Sequence, residues 1–440
     1  MSEPAAVAPA PSPLRRILTM ASLVLAGEAI FFLPFVIVRI FRPTLLEVFG
    51  ITNFELGTAT SAYGVVAMVA YFIGGPLADR FSTKVLLPFA LIATGLGGLF
   101  MATIPSIEML TLLYAYWGLT TILLFWAALM RATREWGGSK EPGKAFGLLD
   151  AGRGALGATI GSVGVLLFAL AVEGEVVEAS LEARTAAFKQ VLLMVSGIVV
   201  GVGILIYFVL PNTSAADSIS PKKDSQSLSQ VLAGILRVIK MPTVWLQAVI
   251  ILCAYVGYKG TDDLSLYANE VIGLDEVDAA NMGNLSLWIR PIAAILAGIL
   301  ADRVSTSRMT IISFGLMLLG SLSLASGLID ANGYILFVFT IVGAGLGIYA
   351  LRGLYFAIME EGNVPLAVTG SAVGLVSVLG YTPDIFFGPL MGYLLDENPG
   401  VIGHQYVFMV VGVFALVGLL ATITFRIVNR KHHTPAHFPD

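Results

Sequence analysis

Long apolar stretches, separated by short polar loops, fill most of the chain. Twelve stretches have the length and composition of a membrane-crossing helix, at 17–41, 56–78, 85–104, 108–131, 145–171, 190–211, 243–269, 279–301, 309–329, 333–359, 367–394 and 404–427. An α-helix needs about 20 apolar residues to cross the roughly 30 Å hydrocarbon core of a bilayer. A strand of a membrane pore would alternate with a period of two, and these stretches do not. The pattern predicts an all-α membrane protein with twelve transmembrane helices.

The composition of the 440 residues supports a membrane environment. Charged residues make up 12% of the chain, against about 25% in soluble domains, and the residues AVILMFWYC make up 57%. The net charge of −4 gives no basic surplus for a nucleic-acid partner, and the single cysteine, Cys253, has no partner for a disulfide. We therefore expect the lipid bilayer to be the solvent for most of the chain.

The charged residues of the loops predict the orientation. Lysine and arginine recur in alternate loops and in both tails, at Arg15, Arg16, Arg80, Lys84, Arg134, Lys140, Lys144, Lys222, Lys223, Arg237, Lys240, Arg303, Arg308, Arg430 and Lys431. The opposite loops are acidic, with Glu173, Glu175, Glu178, Glu182, Glu270, Asp275, Glu276 and Asp278. Because basic loops stay in the cytoplasm, both termini are expected there, in a multi-pass protein of the inner (plasma) membrane.

A serine-rich polar segment divides the chain into two halves with six predicted spans each. Its composition is typical of a flexible cytoplasmic linker. The predicted organisation is a cytoplasmic tail at 1–16, a six-helix bundle at 17–211, the linker at 212–240, a second six-helix bundle at 241–429 and a cytoplasmic tail at 430–440.

The two halves carry the same motif. Gly75-Pro-Leu-Ala-Asp79-Arg80 follows the second span, and Gly298-Ile-Leu-Ala-Asp302-Arg303 follows the eighth, 223 residues later. The same offset places Pro142 on Pro365. Parallel repeats are typical of transporters that rock two bundles about a central site, so we predict two pseudo-symmetric six-helix bundles.

The motif after the second span resembles the signature of the major facilitator superfamily. It reads Gly75-x-x-x-Asp79-Arg80-x-x-x-Lys84, with Ser82 and Thr83 where glycine and a basic residue are usual. The resemblance covers nearly the whole chain and implies a transporter whose two bundles alternately expose a central site. It also implies a gating role at the cytoplasmic helix ends for Gly75, Asp79, Arg80, Lys84, Gly298, Asp302, Arg303 and Arg308.

Within that superfamily, the chain looks most like the organophosphate and sugar-phosphate permeases. The stretches that carry this resemblance are Val38-Arg39, Leu56-Gly57, Ser139-Lys-Glu-Pro-Gly143 and Leu379-Gly380-Tyr381. That branch binds a phosphate-like anion between basic residues of spans one and seven. The resemblance therefore implies that Arg39 and Lys259 bind an anion.

Ionisable residues inside the predicted spans are the candidate functional groups, because charge is costly in a bilayer. They occur in spans one, five, seven, eight, ten and eleven, which line the central cavity in the superfamily that the chain resembles. Arg153, Arg290 and Arg352 are expected near mid-membrane, where a guanidinium fork suits carboxylate, phosphate, sulfonate or nitrate. The candidate substrate-binding residues are Arg290, Arg352, Arg153, Lys259 and Arg39, and the candidate proton-coupling residues are Glu28, Asp150 and Asp384.

Local ion pairs are the alternative interpretation for some of these residues. Asp150 and Arg153 lie three residues apart on one helix, so they can neutralise each other. Lys259 can pair with Asp262 or Asp263 in the same way. Arg290 and Arg352 have no acid one turn away. We expect them to find a partner across the bundle or in the substrate.

These observations predict secondary active transport of a small organic anion by alternating access. The sequence carries no Walker motif, metal-ligand cluster or catalytic triad, so neither an enzyme nor a cofactor nor a bound metal is expected. The expected partners are the small-molecule substrate, a proton or counter-anion, and the bilayer, with the protein as a monomer.

Three alternatives remain open. The first is proton-coupled symport of a neutral sugar-like solute, with the arginines structural. The second is a nitrate or nitrite porter, to which Arg290 and the glycine-rich Gly152-Arg-Gly154-Ala-Leu-Gly157 are similar, although such porters also need an arginine in span two and 56–78 has none. The third is a receptor or lipid-handling protein. The buried arginines and the absence of a large soluble domain in the sequence oppose it.

Overall fold

The computed structural model describes residues 13–137, 142–172, 179–210, 238–362 and 369–429. Twelve helices in these ranges are long and apolar enough to cross a membrane. Spans 1 to 6 are Pro13–Ile40, Asn53–Ala78, Thr83–Met101, Ile107–Gly137, Gly147–Ala171 and Leu181–Val209. Spans 7 to 12 are Pro242–Glu270, Glu276–Ala301, Thr306–Ala325, Tyr334–Leu354, Ala372–Glu397 and Val401–Val428.

The predicted all-α membrane fold with twelve spans is confirmed, and the largest difference concerns where span 6 begins. The hydrophobic pattern placed its start at 190, whereas the helix begins at Leu181. The Ser180 hydroxyl accepts a hydrogen bond from the Ala183 amide at 3.2 Å and caps the helix, so two polar turns precede the apolar part.

Most of the predicted linker and tails fall outside the described residues, which omit 1–12, 211–237 and 430–440. The acidic segment 173–178, residues 139–141 and Pro365 are outside them as well. The domain boundaries predicted at the linker and the tails therefore stay predictions.

Spans 1, 4 and 7 depart from regular α-helix, and span 4 does so with a π-helical segment at Leu119–Trp126. In span 1, a wide π-helical turn at Phe32–Val36 contains Pro34. Proline has no amide hydrogen, so the regular backbone hydrogen bonds of the α-helix are interrupted there. Span 7 narrows to a 3₁₀ turn at Thr261–Asp263 before it ends in the helix Leu264–Glu270. These turns set the direction of the acidic and basic side chains that follow them.

Each half of the chain has its own hydrophobic core, and the halves meet along two symmetric interfaces. Span 2 packs on span 11, where a Cβ at Gly57 would collide with the carbonyl of Gly388. Span 5 packs on span 8, where a Cβ at Gly161 would collide with the side chain of Asn284. Small residues at these positions let the helices approach closely, as is usual between membrane helices.

The halves are joined at the face opposite the two termini, which we call the outer face; the other is the terminal face. The Asn53 and Phe54 amides at the start of span 2 donate to the Asp396 carboxylate of span 11 at 3.1 and 2.7 Å. Arg184 at the start of span 6 forms an ion pair with Glu276 of span 8. These contacts close the bundle at the outer face.

Solvent reaches the interior from the terminal face. Asp150 faces Arg290 of the other half across the bundle, yet its side chain is 50% exposed. An interior carboxylate that is so exposed indicates a cavity between the halves that opens toward the terminal face. The loop charges predict that this face is cytoplasmic.

Candidate functional site

Two charge clusters and one separate arginine occupy the space between the halves. The inner cluster, nearer the terminal face, consists of Glu28, Asp150, Arg153 and Arg290. The outer cluster consists of Arg39, Lys259, Asp262 and Asp384. Arg352 of span 10 belongs to neither cluster.

Glu28 is the centre of the inner cluster. Its carboxylate accepts from Nη1 of Arg290 at 3.2 and 3.3 Å and lies 3.4 Å from Nε of Arg153. Asp150 lies 3.5 Å from Arg290 and 4.0 Å from Arg153, so the intrahelical pair predicted for Asp150 and Arg153 is the longer of the two contacts. Arg290 thus finds its partners across the bundle.

The glycine-rich stretch of span 5 makes the inner cluster sterically possible. A Cβ at Gly157 would collide with Glu28, and one at Gly154 would press on Arg290 and Pro291 of span 8. The stretch also contains Gly152, which contacts span 1 at Val24. These glycines let spans 1 and 8 approach span 5 from two sides, which explains their spacing as helix packing.

The outer cluster joins the two halves through Arg39 and Asp262. Nη2 and Nε of Arg39 donate to Oδ1 of Asp262 at 2.5 and 2.8 Å. Lys259 lies 2.9 Å from the other oxygen of Asp262, so the local pair predicted from spacing forms. Lys259 also lies 3.9 Å from Oδ1 of Asp384, whose other oxygen accepts from the Tyr255 hydroxyl at 2.9 Å.

Arg352 has no carboxylate partner among the described residues, and its Nη1 is buried without a hydrogen bond. Its guanidinium carbon lies 3.7 Å from the centre of the Tyr258 ring and 5.8 Å from that of Tyr255. Span 10 ends at Leu354, so the backbone of Arg352 lies nearer the terminal face than the predicted mid-membrane position. Its side chain reaches back toward the helix N-terminus, the usual direction of long side chains on helices.

The charges of the site do not cancel. The two clusters contain four carboxylates and four cations, which pair with one another. Arg352 adds a fifth cation that no described carboxylate neutralises. The Nη1 atom of Arg352 is buried without a counter-ion, which is costly, so this part of the site favours an anion.

Aromatic side chains pack around the charged residues of the site, and the two halves contribute different kinds. The second half contributes tyrosines: Tyr255, Tyr258, Tyr349, Tyr355 and Tyr381. The first half contributes Phe31, Phe35 and Trp126, with Tyr71 stacked on Tyr381 at 6.1 Å between ring centres. The second half therefore places hydroxyl-bearing rings near Arg352, and the first half contributes mostly apolar rings.

The sequence analysis selected the charged residues of this site but did not single out Tyr255, Tyr258 and Tyr381, three of the tyrosines near Arg352. The available signal was position: Tyr255 lies four residues before Lys259 on span 7, whereas Tyr258, directly before Lys259, carried no such signal. A ring three or four residues from a charge shares its helix face.

A buried histidine between two carboxylates lies at the outer face, and the sequence analysis did not predict it. His404 is fully buried; its Nδ1 lies 2.7 Å from Asp263 and its Nε2 lies 3.1 Å from Glu270. These contacts join the start of span 12 to the end of span 7. Asp263, named as an alternative partner for Lys259, pairs with His404 instead.

The residues predicted to act as a gate lie at the terminal face. Arg80, Arg303 and Arg308 are exposed, Gly75 and Gly298 have open space beside them, and Lys84 lies 5.5 Å from the centre of the Tyr207 ring. The side chains of Asp79 and Asp302 lie outside the described part of the structure. The gating role therefore stays a prediction.

Arg131 supplies a contact at this face that the sequence did not predict. Its Nη1 donates to the carbonyl of Ala78 at 2.7 Å, and its Nε donates to Glu135 at 2.8 Å. The contact ties the end of span 4 to the end of span 2, beside the predicted gate.

The sequence profile of the Major Facilitator Superfamily matches residues 24–386. The inner membrane protein YihN of Escherichia coli K12 is 27% identical over 414 residues, 93% of this chain and 95% of its own length. The inner membrane protein YqcE of the same strain is 28% identical over 421 residues, 94% of this chain and 95% of its own. The probable galactarate/D-glucarate transporter GudP of that strain is 24% identical over 204 residues, 43% and 42% of the two chains.

Two solved structures share the fold. A bacterial homologue of the human lysosomal transporter Spinster, in an inward-facing and occupied conformation, gives a TM-score of 0.73 at 15% identity and covers 97% of this chain and 100% of its own. The nucleoside transporter NupG gives a TM-score of 0.68 at 14% identity, with 93% of this chain and 98% of its own covered. At these identities the likeness concerns the fold alone.

Proposed function

The chain belongs to the major facilitator superfamily, and on that premise we propose that it carries a small organic anion across the membrane. Membership makes it a multi-pass secondary transporter that works by alternating access, and not an enzyme. What the superfamily leaves open is the substrate.

Arg352 is the observation that carries the proposal. It has no carboxylate partner among the described residues, its Nη1 is buried without a hydrogen bond, and its guanidinium group lies over the rings of Tyr255 and Tyr258. An anion bound at its free Nη1 removes the cost of burying that charge. Arg290 and Arg153 lie close by, but each already shares the carboxylate of Glu28.

The walls of the cavity favour an anion that also carries hydroxyl groups. Tyrosine hydroxyls and Asp384 can donate to or accept from a hydroxylated substrate, while apolar rings opposite them suit its carbon skeleton. The partial similarity to a relative described as a galactarate/D-glucarate transporter supports a hydroxylated carboxylate. The resemblance to organophosphate permeases supports a phosphate-bearing metabolite, which the same guanidinium fork would bind.

Proton-coupled symport of a neutral sugar is the second candidate, and Asp384 is the residue that favours it. Its Oδ1 is buried without a hydrogen-bond donor, and Lys259 lies 3.9 Å away. Glu28 is less suited to carry a proton, because both of its oxygens face arginines. A nitrate site at Arg290 is less favoured, because Glu28 already accepts from its guanidinium group.

The relatives' location and the loop charges support a position in the inner membrane with both termini in the cytoplasm. In that orientation the cavity of this structure opens to the cytoplasm. We propose that the monomer is the transporting unit, because each monomer holds a complete cavity between its own two halves.

A ligand screen on the purified protein tests the proposed substrate class. The panel pairs ligands that differ in one property: D-glucarate with adipate for hydroxyl groups, and glucose 6-phosphate with glucose for charge, with nitrate added. A rise in thermal stability with glucarate or the sugar phosphate, and none with glucose, is the expected result. If glucose stabilises the protein as much as glucose 6-phosphate does at every concentration, the result would favour the neutral-sugar symporter.

A further inference from the structure

The ring of Tyr258 contacts guanidinium groups from both halves of the molecule. The guanidinium carbon of Arg39, on span 1, lies 4.3 Å from the ring centre, and that of Arg352, on span 10, lies 3.7 Å from it. The two guanidinium carbons are therefore within about 8 Å of each other. An aromatic face attracts a cation, so one ring holds two cations that repel each other.

The two arginines have different surroundings. Arg39 is 1% exposed and is paired with Asp262 across the interface. Its carbonyl also accepts from the Ser265 hydroxyl at 2.8 Å, so the backbone of span 1 is fixed to span 7 at the same point. We call the Arg39–Asp262 pair the outer lock, because it joins the halves on the outer-face side of the cavity. Arg352, in contrast, has no carboxylate partner among the described residues.

We propose that Tyr258 is a positioning residue. It couples the outer lock to whether a bound anion compensates the positive charge of Arg352. The inference rests on the proposed function in one respect, that the transported anion binds Arg352. While the cavity is empty, the uncompensated charge of Arg352 is held on the ring and repels Arg39, which weakens the lock. When an anion neutralises Arg352, the repulsion falls and the outer lock tightens. Binding thus favours the conformation that is sealed at the outer face.

The ring of Tyr258, and not its hydroxyl group, performs the coupling. Without the ring, Arg352 loses the contact that fixes it beside Arg39 and can turn toward water in the cavity, where solvent screens its charge. Tyr258→Phe keeps the aromatic face and should keep the coupling. Tyr258→Leu keeps apolar volume but removes the face, so the lock should no longer respond to the charge of Arg352.

A cysteine-accessibility cycle tests this without knowledge of the substrate. Ser61, whose hydroxyl donates to the Ile385 carbonyl in the interface between spans 2 and 11, becomes the reporter as Ser61→Cys. Cys253→Ala removes the native thiol. Ser106→Cys is the matched control, since Ser106 is exposed just before span 4 at the outer face. A membrane-impermeant maleimide applied from the outer face should label the reporter faster when the lock opens, because Ser61 is only partly exposed in the sealed structure.

Neutralising Arg352 imitates the bound anion. Arg352→Gln should slow labelling of the reporter by about two- to thirtyfold, the range expected for the repulsion between two unit charges about 8 Å apart at an effective dielectric constant of about 80 to 20. The same substitution should have no effect on the reporter in the Tyr258→Leu background and its full effect in Tyr258→Phe. Labelling of Ser106→Cys should not change. If Tyr258→Leu does not fold, Tyr258→Met is the second variant without a ring, and size-exclusion chromatography of each variant checks folding.

Two results would overturn the proposal: an unchanged labelling rate in Arg352→Gln, or an equal slowing with and without the ring. A separate arm adds D-glucarate or inorganic phosphate to the reporter protein. Slower labelling with either anion supports both proposals. If the variants show coupling but neither D-glucarate nor phosphate binds or slows labelling, the role of Tyr258 stands. The proposal that the substrate is an anion of this kind then fails.

Discussion

Arg39 and Asp262 occupy equivalent positions in the two halves and form the ion pair between them. They are 223 residues apart, the offset that also relates the Asp79 and Asp302 motifs. A residue touches its own equivalent only on the pseudo-two-fold axis, so this pair marks the axis near the outer face. A rocking motion of two bundles about a central site must separate such a pair, which makes it a natural lock for the sealed conformation.

Breaking the outer lock from one side should destabilise the protein. Asp262→Asn leaves Arg39 and Lys259 buried without their shared carboxylate, and a broken buried pair costs about 3–5 kcal/mol. Arg39→Gln combined with Asp262→Asn should recover part of that loss, since fewer unpaired charges remain. Thermal unfolding in detergent of the single and double variants measures this. Additive losses in the double variant would show that the two residues do not interact.

Removing the guanidinium of Arg352 should weaken binding of the anion identified in the ligand screen. A charge-assisted hydrogen bond contributes roughly 1.5–3 kcal/mol, so Arg352→Ala should raise the dissociation constant about 10- to 150-fold. Arg352→Lys should recover only part of the affinity, because lysine lacks the fork. Isothermal titration is the measurement, with Arg426→Ala near the end of span 12 as the control. Unchanged affinity in folded Arg352→Ala would leave this arginine structural.

Coupling to protons, if transport shows it, should depend on Asp384 more than on Glu28. One oxygen of Asp384 is buried without a donor, which leaves room for a proton. Asp384→Asn should therefore remove the dependence of uptake on the proton gradient, while Glu28→Gln should lower transport but keep that dependence. Uptake into proteoliposomes at a fixed gradient compares the two. The opposite pattern would move proton coupling to the inner cluster.

His404 should contribute more to stability than to transport. It is buried between Asp263 and Glu270, so His404→Leu leaves the fully buried Asp263 without its partner at a cost of about 3–5 kcal/mol. The melting temperature should fall clearly, while substrate affinity in the folded fraction stays within about twofold. Thr424→Val, at an exposed position of the same helix, is the control. A variant with normal stability but impaired transport would contradict this role.

The predicted gate can be tested at Asp79. Asp79→Asn should impair transport and leave equilibrium binding intact, because the residue lies at the terminal-face end of span 2. Glu182→Gln, in the exposed first turn of span 6, is the matched loss of a carboxylate at the other face. Binding and uptake are measured on the same preparations. Loss of binding with normal exchange between conformations would make a gating role untenable.

The sequence by itself determined the spans, the repeat and the set of buried charges. Crossing a bilayer is a local property, since about 20 successive apolar residues satisfy it, and so the pattern predicted all twelve spans. Spacing along one helix likewise predicted the pair of Lys259 with Asp262. The predicted start of span 6 was wrong because the helix, capped by Ser180, begins before its continuous apolar part.

Only the tertiary structure decided which buried charges are free. Arg290 and Arg352 are alike in sequence, each an arginine in a span without an acid one turn away. Glu28, 262 residues from Arg290 in the chain, neutralises the first, whereas the tyrosines of spans 7, 10 and 11 surround the second. The partner of a buried charge depends on which helices are neighbours and on the turns that direct their side chains. Helical periodicity carries no information about either, because it describes one helix at a time.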